Sequence, residues 1–221
     1  ECYASDKNDK VIEDYILKIY SFAMSYPYPE KWLDKCEEMY ECEDLEHFEK
    51  LDWVQLLKED ALNLANHAYN AAKTAYEIAS MDGGPYMYID TLTDYLYVSK
   101  ALCNCSDYSS AYDILTEFKP KALSRKKDKN VNEELRELAK KYRDEVKAAL
   151  DELAKKYYYI NPERVCQDMF LMKENVHVFV SLVKDFIRIY GEKKKEKDLL
   201  DFSDLEHFAL KILLDENGEP T

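Results

Sequence analysis

Residues 52–81 read DWVQLLKEDALNLANHAYNAAKTAYEIASM, and this stretch decides the fold class. Trp53, Leu56, Leu57, Leu64, Ala68, Ala72, Ala75 and Ala79 recur at helical spacing, so one apolar face runs along roughly eight turns of α-helix. Alanine makes up the second half of that face, and a side chain this small lets another helix approach closely. The end of the helix is equally legible. Asp82-Gly83-Gly84-Pro85 offers glycine for the residue beyond a helix terminus, then a proline suited to open the next helix.

The same pattern continues outward in both directions. Towards the N-terminus, Asp9 or a neighbour caps a first helix carrying Val11, Ile12, Tyr15, Ile16, Ile19, Tyr20 and Ala23, which Pro27 stops. Pro29 opens a second helix with Trp32, Leu33, Cys36, Met39 and Tyr40, and a short acidic helix fits around Leu45 and Phe48. Towards the C-terminus, a helix runs from Tyr86 to about Asn104, and Asp107 caps another that reaches Phe118. Asn130 or Asn132 starts a long helix to about Tyr158, with Leu135, Leu138, Ala139, Tyr142, Val146, Ala149, Leu150 and Leu153 inward. Asn161-Pro162 caps a last long one through Val165, Met169, Met172, Val176, Phe179, Val183, Phe186, Ile187 and Tyr190. Tyr15, Tyr69, Tyr76, Tyr142 and Tyr190 lie in apolar stripes and are expected in the core with the hydroxyl reaching the surface. The expected fold is all-α, an antiparallel multi-helix bundle without significant sheet.

Composition agrees with that class. The 221 residues are 47% hydrophobic and 34% charged, with only 4 Gly and 6 Pro. This excludes general disorder and suits helices. No apolar run is long enough for a membrane span, and Glu1 to Asp6 has neither the basic nor the apolar region of a signal peptide. A cytoplasmic protein without membrane association is expected, and a start without Met fits a fragment or a processed chain. The six cysteines, Cys2, Cys36, Cys42, Cys103, Cys105 and Cys166, lack zinc-site spacing and are expected as reduced, mostly buried thiols.

Charge is unevenly spread. The net charge is −14, yet residues 1–60 hold 7 basic and 17 acidic side chains while residues 121–200 hold 20 basic and 15 acidic. Lys119, Lys121, Arg125, Lys126, Lys127 and Lys129 fall within eleven residues with Asp128 as the one acid among them. Pro120 opens this stretch, which has no apolar periodicity and is expected to be a mobile loop. Its cations can reach phosphates, making Lys121, Arg125, Lys126, Lys127 and Lys129 candidate DNA contacts; a merely solvated loop is the alternative.

Catalytic chemistry finds no foothold. Four glycines, at 83, 84, 191 and 218, cannot supply a phosphate-binding G-x-x-x-x-G-K-[ST] loop. His47, His67, His177 and His207 stand alone in sequence, without a nucleophile motif or a metal-ligand spacing. No catalytic, cofactor-binding or metal-binding residue is assigned, and the chain by itself is expected to be inactive.

The C-terminal stretch Leu200-Asp201-Phe202-Ser203-Asp204-Leu205-Glu206-His207-Phe208 starts one more helix. Ser203 and Glu206 have the spacing of a capping box, and Leu205, Phe208, Ala209, Ile212 and Leu213 form an apolar stripe. With Lys195 to Leu199 ahead of it, this stretch resembles the segment preceding the Walker B strand in UvrD-like superfamily 1 helicases. Its D-F-S-D-L-E-H form resembles one branch, the A subunits of AddAB helicase/nucleases. Ile16 to Leu33 is similar to that branch's L-Y-x-F-A-x-S-x-P-x-P-x-x-W-L block, and Arg125-Lys126-Lys127, followed by Arg143 and Lys147, is a looser match to its basic loop.

The resemblance implies a role without chemistry of its own. Residues 1–199 would be the helical insertion, the 1B subdomain, and residues 200–221 the segment rejoining the motor (1A) domain. Asp201, Phe202, Asp204 and Leu205 would couple the insertion to the motor. The Walker motifs, with ATP and Mg, and the nuclease would belong to the rest of the parent, an ATP-dependent 3′ to 5′ DNA helicase and exonuclease that processes double-strand breaks. Its partners would be double-stranded DNA, contacted through the backbone, an AddB-type partner, and the remainder of the motor. The residues also fit a different class of function, a helical scaffold docking onto protein through its acidic half and final helix. In the absence of the motor, that helix is expected to be frayed, folded back on its neighbours or buried by another copy, because an ordered exposed Phe208 and Ile212 conflicts with the burial of apolar surface.

Overall fold

The computed structural model of the chain describes residues 9–215 and 218–221, so Cys2 lies outside the described residues. Among the described residues the chain is all-α, as expected, with no strand and one isolated bridge between Leu214 and Pro220. It divides into two compact units. One comprises residues 43–167; the other combines residues 1–42 with residues 168–221.

The 43–167 unit is built around α4 (Asp52–Ser80), which packs most extensively on α5 (Ile89–Cys103) and α7 (Glu133–Glu152). Ala61, Ala65, Ala68, Ala71, Ala72, Ala75 and Ala79 are all buried along α4. The alanine stripe anticipated for the second half therefore extends into the first, where Val54 and Ala61 are buried and Leu56 is 64% exposed. Leu138 of α7 is likewise exposed. In each case a leucine sits just off the packed line, where period alone does not separate edge from centre.

Gly83, at φ +71°, turns the chain between α4 and a 3₁₀ turn at Tyr86–Tyr88 that leads into α5. Gly84 is packed against backbone carbonyls: a Cβ there would lie 2.3 Å from Ile78 O and 2.9 Å from Ala79 O. At the other end of this unit α3 (Leu45–Lys50) is capped by Asp44, and α6 (Tyr108–Glu117) by Asp107. A π-helical segment, Leu153–Tyr157, closes α7 and brings Tyr158 inward. Tyr108 stands edge-on to Phe48 and Tyr158, with ring centres 5.4 and 5.0 Å away, and donates to Ile160 O at 3.1 Å. Burial pushes the Tyr158 phenol up to about 12.

In the second unit α1 (Lys10–Ala23) and α2 (Pro29–Glu38) lie with the later part of α8 (Pro162–Glu196). Ala23, Leu33, Val180 and Val183 form the buried centre, with Ile16, Ile19, Trp32, Phe179 and Ile187 around it. Tyr15 and Tyr190, expected in the core, are partly solvent-facing, and Met172 is exposed. Ion pairs tie α2, and Glu41 two residues past its C-terminal cap Met39, to α8, Asp34–Lys184 at 2.5 Å and Glu41–Lys173 at 3.1 Å, while His177 Nδ1 lies 2.5 Å from Glu37 Oε1.

Cys42 is buried and Cys36, Cys103, Cys105 and Cys166 are half-buried, all as thiols outside any disulfide. Burial pushes the Cys36, Cys103 and Cys105 thiols up. The cysteines are therefore less enclosed than expected.

The final helix, α9 (Phe202–Leu213), corrects two expectations. It begins one residue before Ser203, and it is ordered with Phe208 48% and Ile212 75% exposed. Hydrogen bonds, not apolar burial, hold it. His207 Nε2 lies 3.1 Å from Met24 O, and the Tyr28 hydroxyl donates to Asp215 O just beyond its end.

The alanine face sets a testable limit on stability. Ala75→Leu forces extra volume into the α4 contact and should cost about 1–3 kcal/mol. Leu56→Ser, on the exposed side, should stay within about 0.5 kcal/mol of the parent. Urea denaturation midpoints measure both, and equal midpoints would contradict the packing described.

Candidate nucleic-acid interface

The basic segment joins α6 to α7 and carries no helix or turn from residue 118 to 128. It is not loose, because its backbone is fastened at several points. Thr91 Oγ1 donates to Ala122 O at 3.4 Å, Arg136 donates to Lys126 O at 2.9 Å, and Asn132 N donates to Gly83 O at 2.8 Å. Leu123 packs on the cluster of Ala75, Ile78, Ala79, Tyr88, Leu92 and Ala139. The mobile loop expected from sequence is thus a pinned one, since a single inward leucine and backbone bonds need no periodicity to act.

The five candidate contacts separate into two groups. Lys121 pairs with Asp94 at 2.9 Å. Lys126 lies 5.0 Å from the centre of the Tyr86 ring and donates to its hydroxyl at 2.9 Å. That hydroxyl donates in turn to Asp128 Oδ2 at 2.9 Å. Hydrogen bonds from the Asn130 backbone and Tyr86 hold the Asp128 carboxyl below its usual range, and the Tyr86 hydroxyl raises Lys126. Arg125, Lys127 and Lys129 are exposed and make no ion pair or hydrogen bond among the described residues. Sequence reasoning groups all five by charge; Asp94, which holds Lys121, and Tyr86, forty residues before Lys126, are what tell them apart. Arg143, from the same resemblance, is half-buried beside Asp144 at 3.1 Å, while Lys147 is exposed.

The four coupling candidates also divide. Asp201 caps α9 and accepts from Asp204 N at 3.0 Å, while Asp204 accepts from Asp201 N at 3.0 Å. The capping box is therefore Asp201–Asp204, not Ser203–Glu206. The difference has an electrostatic cause: Lys194 donates to Asp201 at 2.9 Å and to both oxygens of Asp204 at 2.7 Å. Two carboxylates and one ammonium form charge-assisted bonds that a serine cannot match. Lys194 itself is only 11% exposed and rests 4.7 Å over the Tyr190 ring. Burial opposes its charge, but the Asp204 and Asp201 bonds outweigh it and raise the ammonium to about 12. Lys194 and burial act in opposite directions on Asp201, and Lys194 wins, lowering its carboxyl. Phe202 and Leu205 instead face solvent, Phe202 at 86% exposure. Nothing in the sequence pattern singles out Lys194, which sits in an ordinary-looking charge run.

A left-handed residue delivers the chain to this cap. Asp198, at φ 51°, ends α8 with Leu199 N donating to Lys194 O and Asp198 N to Lys195 O, the paired bonds of a Schellman turn.

Removing the ammonium should loosen α9 selectively. Lys194→Met leaves two carboxylates facing each other and should cost about 1.5–3 kcal/mol locally, read as faster amide exchange over residues 202–213 with 52–80 unchanged. The pH dependence follows from the signs. The lowered Asp201 contributes stability above the ordinary carboxylate range that is lost as pH falls through its depressed value; the raised Lys194 contributes below 10.5 and is lost as pH rises through about 12. The cap's contribution to α9 protection should therefore fall at both extremes of pH, and protection retained at both would contradict this cap.

No helix among the described residues is long and apolar enough to cross a membrane. No family model matches the chain. Three curated relatives are named as the A subunits of ATP-dependent helicase/nucleases: those of Lachnoclostridium phytofermentans (33% identical, 100% of this chain, 17% of the relative), Clostridium perfringens (34%, 99% and 18%) and Listeria innocua (30%, 100% and 18%). The chain is homologous over essentially its whole length to one segment, about a sixth, of ATP-dependent helicase/nuclease A subunits.

Proposed function

We propose that the chain is the helical insertion (1B) subdomain of an ATP-dependent DNA helicase/exonuclease A subunit that acts in double-strand break repair and recombination. It contacts the duplex backbone and couples that contact to the motor, with no catalytic step of its own. The observation that carries the reading is the full-length alignment to helicase/nuclease A subunits. Arg125, Lys127 and Lys129, exposed and without partners among the described residues, give that segment a surface suited to phosphates.

In this reading residues 1–199 are the insertion and residues 200–221 return to the motor domain, with Asp201 and Asp204 fixing α9 so that Phe202 and Leu205 meet the motor. The parent works in the cytoplasm beside an AddB-type partner. ATP and Mg act in the remainder of the parent. The glycine turn here does not fit a nucleotide phosphate, because Gly84 lies against the carbonyl oxygens of Ile78, Ala79 and Met81, which repel an anion.

Salt dependence tests the DNA contact. The purified chain should bind duplexes weakly and regardless of sequence, with log K falling linearly in log salt. Replacing Arg125, Lys127 and Lys129 by Ala together should lower that slope by up to about three. Absence of any binding at low salt removes the DNA role.

The exposed stripe of α9 favours a second reading, a protein-docking scaffold, because Leu205, Phe208 and Ile212 leave contiguous apolar side chains in water. Serine at all three positions should abolish co-purification with the separately expressed remainder of the parent protein. Retained co-purification would reject docking through α9.

A further inference from the structure

We propose that Tyr86 holds residues 125–129 in a register that presents Arg125, Lys127 and Lys129 together to the phosphates of a nucleic-acid strand, with Lys126 serving as the clip and not as a contact. This rests on the nucleic-acid reading of the loop given above and assigns its members different roles.

The contacts alternate along the chain. Residues 125–128 carry no helix or turn, and a turn closed by Val131 N donating to Asp128 O at 3.3 Å begins the exit from the loop at Lys129. Lys126 and Asp128 both turn to Tyr86. Arg125, Lys127 and Lys129 are the odd-numbered neighbours, and all are exposed without partners among the described residues. Three cations without partners on one fastened segment suit a strand of phosphates, each of which carries a negative charge.

The backbone is fixed at the same place. Arg136 donates to Lys126 O at 2.9 Å and to the Tyr88 hydroxyl at 3.2 Å, and Asn130 N donates to Asp128 Oδ1 at 3.0 Å. The one acid within residues 119–129 is therefore occupied by the Tyr86 hydroxyl. Two bordering acids are occupied as well: Asp94 holds Lys121, and Glu133 holds Arg136 at 3.1 Å. What remains without a partner within residues 125–129 is three like charges, an arrangement whose mutual repulsion a polyanion relieves. Tyr86 makes its contribution through the loop, so it is a positioning residue.

Two measurements on the intact chain test this. In salt-dependent binding to a short duplex and to a single strand of the same sequence, R125A, K127A and K129A should each lower the slope by about 0.9 on duplex or about 0.7 on single strand, while K126A leaves it unchanged. Whichever form is bound more tightly identifies the source of the phosphates. Tyr86→Ala should weaken binding by about two- to tenfold through lost preorganisation, and Tyr86→Phe, which keeps the ring under Lys126, should recover part of that. Lysine acetylation read by mass spectrometry supplies the second measurement. Without DNA, Lys126 should react more slowly than Lys127 and Lys129, a difference lost in Tyr86→Ala; with DNA, Lys127 and Lys129 should become protected. DNA binding in which K126A lowers the slope as much as K127A, or in which Tyr86→Ala binds as the parent does, overturns the register and leaves the nucleic-acid reading standing. No binding to either form overturns both.

Discussion

Close approach of helices along the alanine face of α4 is the constraint on which the 43–167 unit depends. Ala75 and Ala79 leave room for Tyr88 and Leu92 on one neighbour and Ala139 on the other, so α5 and α7 are both seated against one line of methyl groups. The basic loop inherits its position from that seating. Tyr88 meets Arg136 of α7, Arg136 holds the backbone of Lys126, and Tyr86, two residues before Tyr88, holds the side chains of Lys126 and Asp128. A larger side chain on α4 would therefore reach the surface charge pattern through only a few contacts.

The other unit uses a different economy. Its buried centre is small, and polar bonds complete it: the Asp34–Lys184 ion pair between α2 and α8 and the Lys194 hub that starts α9. Exposed pairs contribute little individually. Lys194 differs because its ammonium is mostly enclosed and meets two carboxylates, one of which is also the helix cap. That arrangement keeps α9 formed while its apolar stripe remains in solvent, which an argument from burial alone does not allow.

Much of this was legible in the residues. Pro29, Asp107, the Asn130/Asn132 pair and Asn161-Pro162 marked helix starts because caps act within one turn, where sequence distance and spatial distance coincide. The alanines of residues 68–79 declared a packed face for the same local reason. What escaped were relations across the chain. Tyr88, Tyr95, Tyr108 and Tyr158 are buried, yet none lay in a stripe clear enough to say so. Tyr108 is enclosed by Phe48 and Tyr158, residues 60 and 50 positions away, and no periodicity encodes such a meeting. The cap of α9 failed for a related reason: Ser203–Glu206 and Asp201–Asp204 have the same spacing, and only Lys194, reached through the turn at Asp198, makes the second pair the stronger one.

The same distinction bears on how an acidic chain meets an anion. A net charge of −14 repels nucleic acid at long range, but at about 0.1 M salt charges separated by more than about 10 Å are largely screened. Contact is then decided by what lies within that distance of the phosphates. A mobile basic loop would bring its cations there only by giving up conformational freedom on each encounter. A loop fastened at Ala122, Lys126 and Asn132 has given up that freedom on folding, at the expense of the α4 contact that seats it. Fixing the loop also sorts its charges, because Tyr86 takes Lys126 and Asp128 together and leaves Arg125, Lys127 and Lys129 without partners among the described residues. On the nucleic-acid reading proposed above, local sorting of charge, more than its sum along the chain, is what lets this surface meet a polyanion.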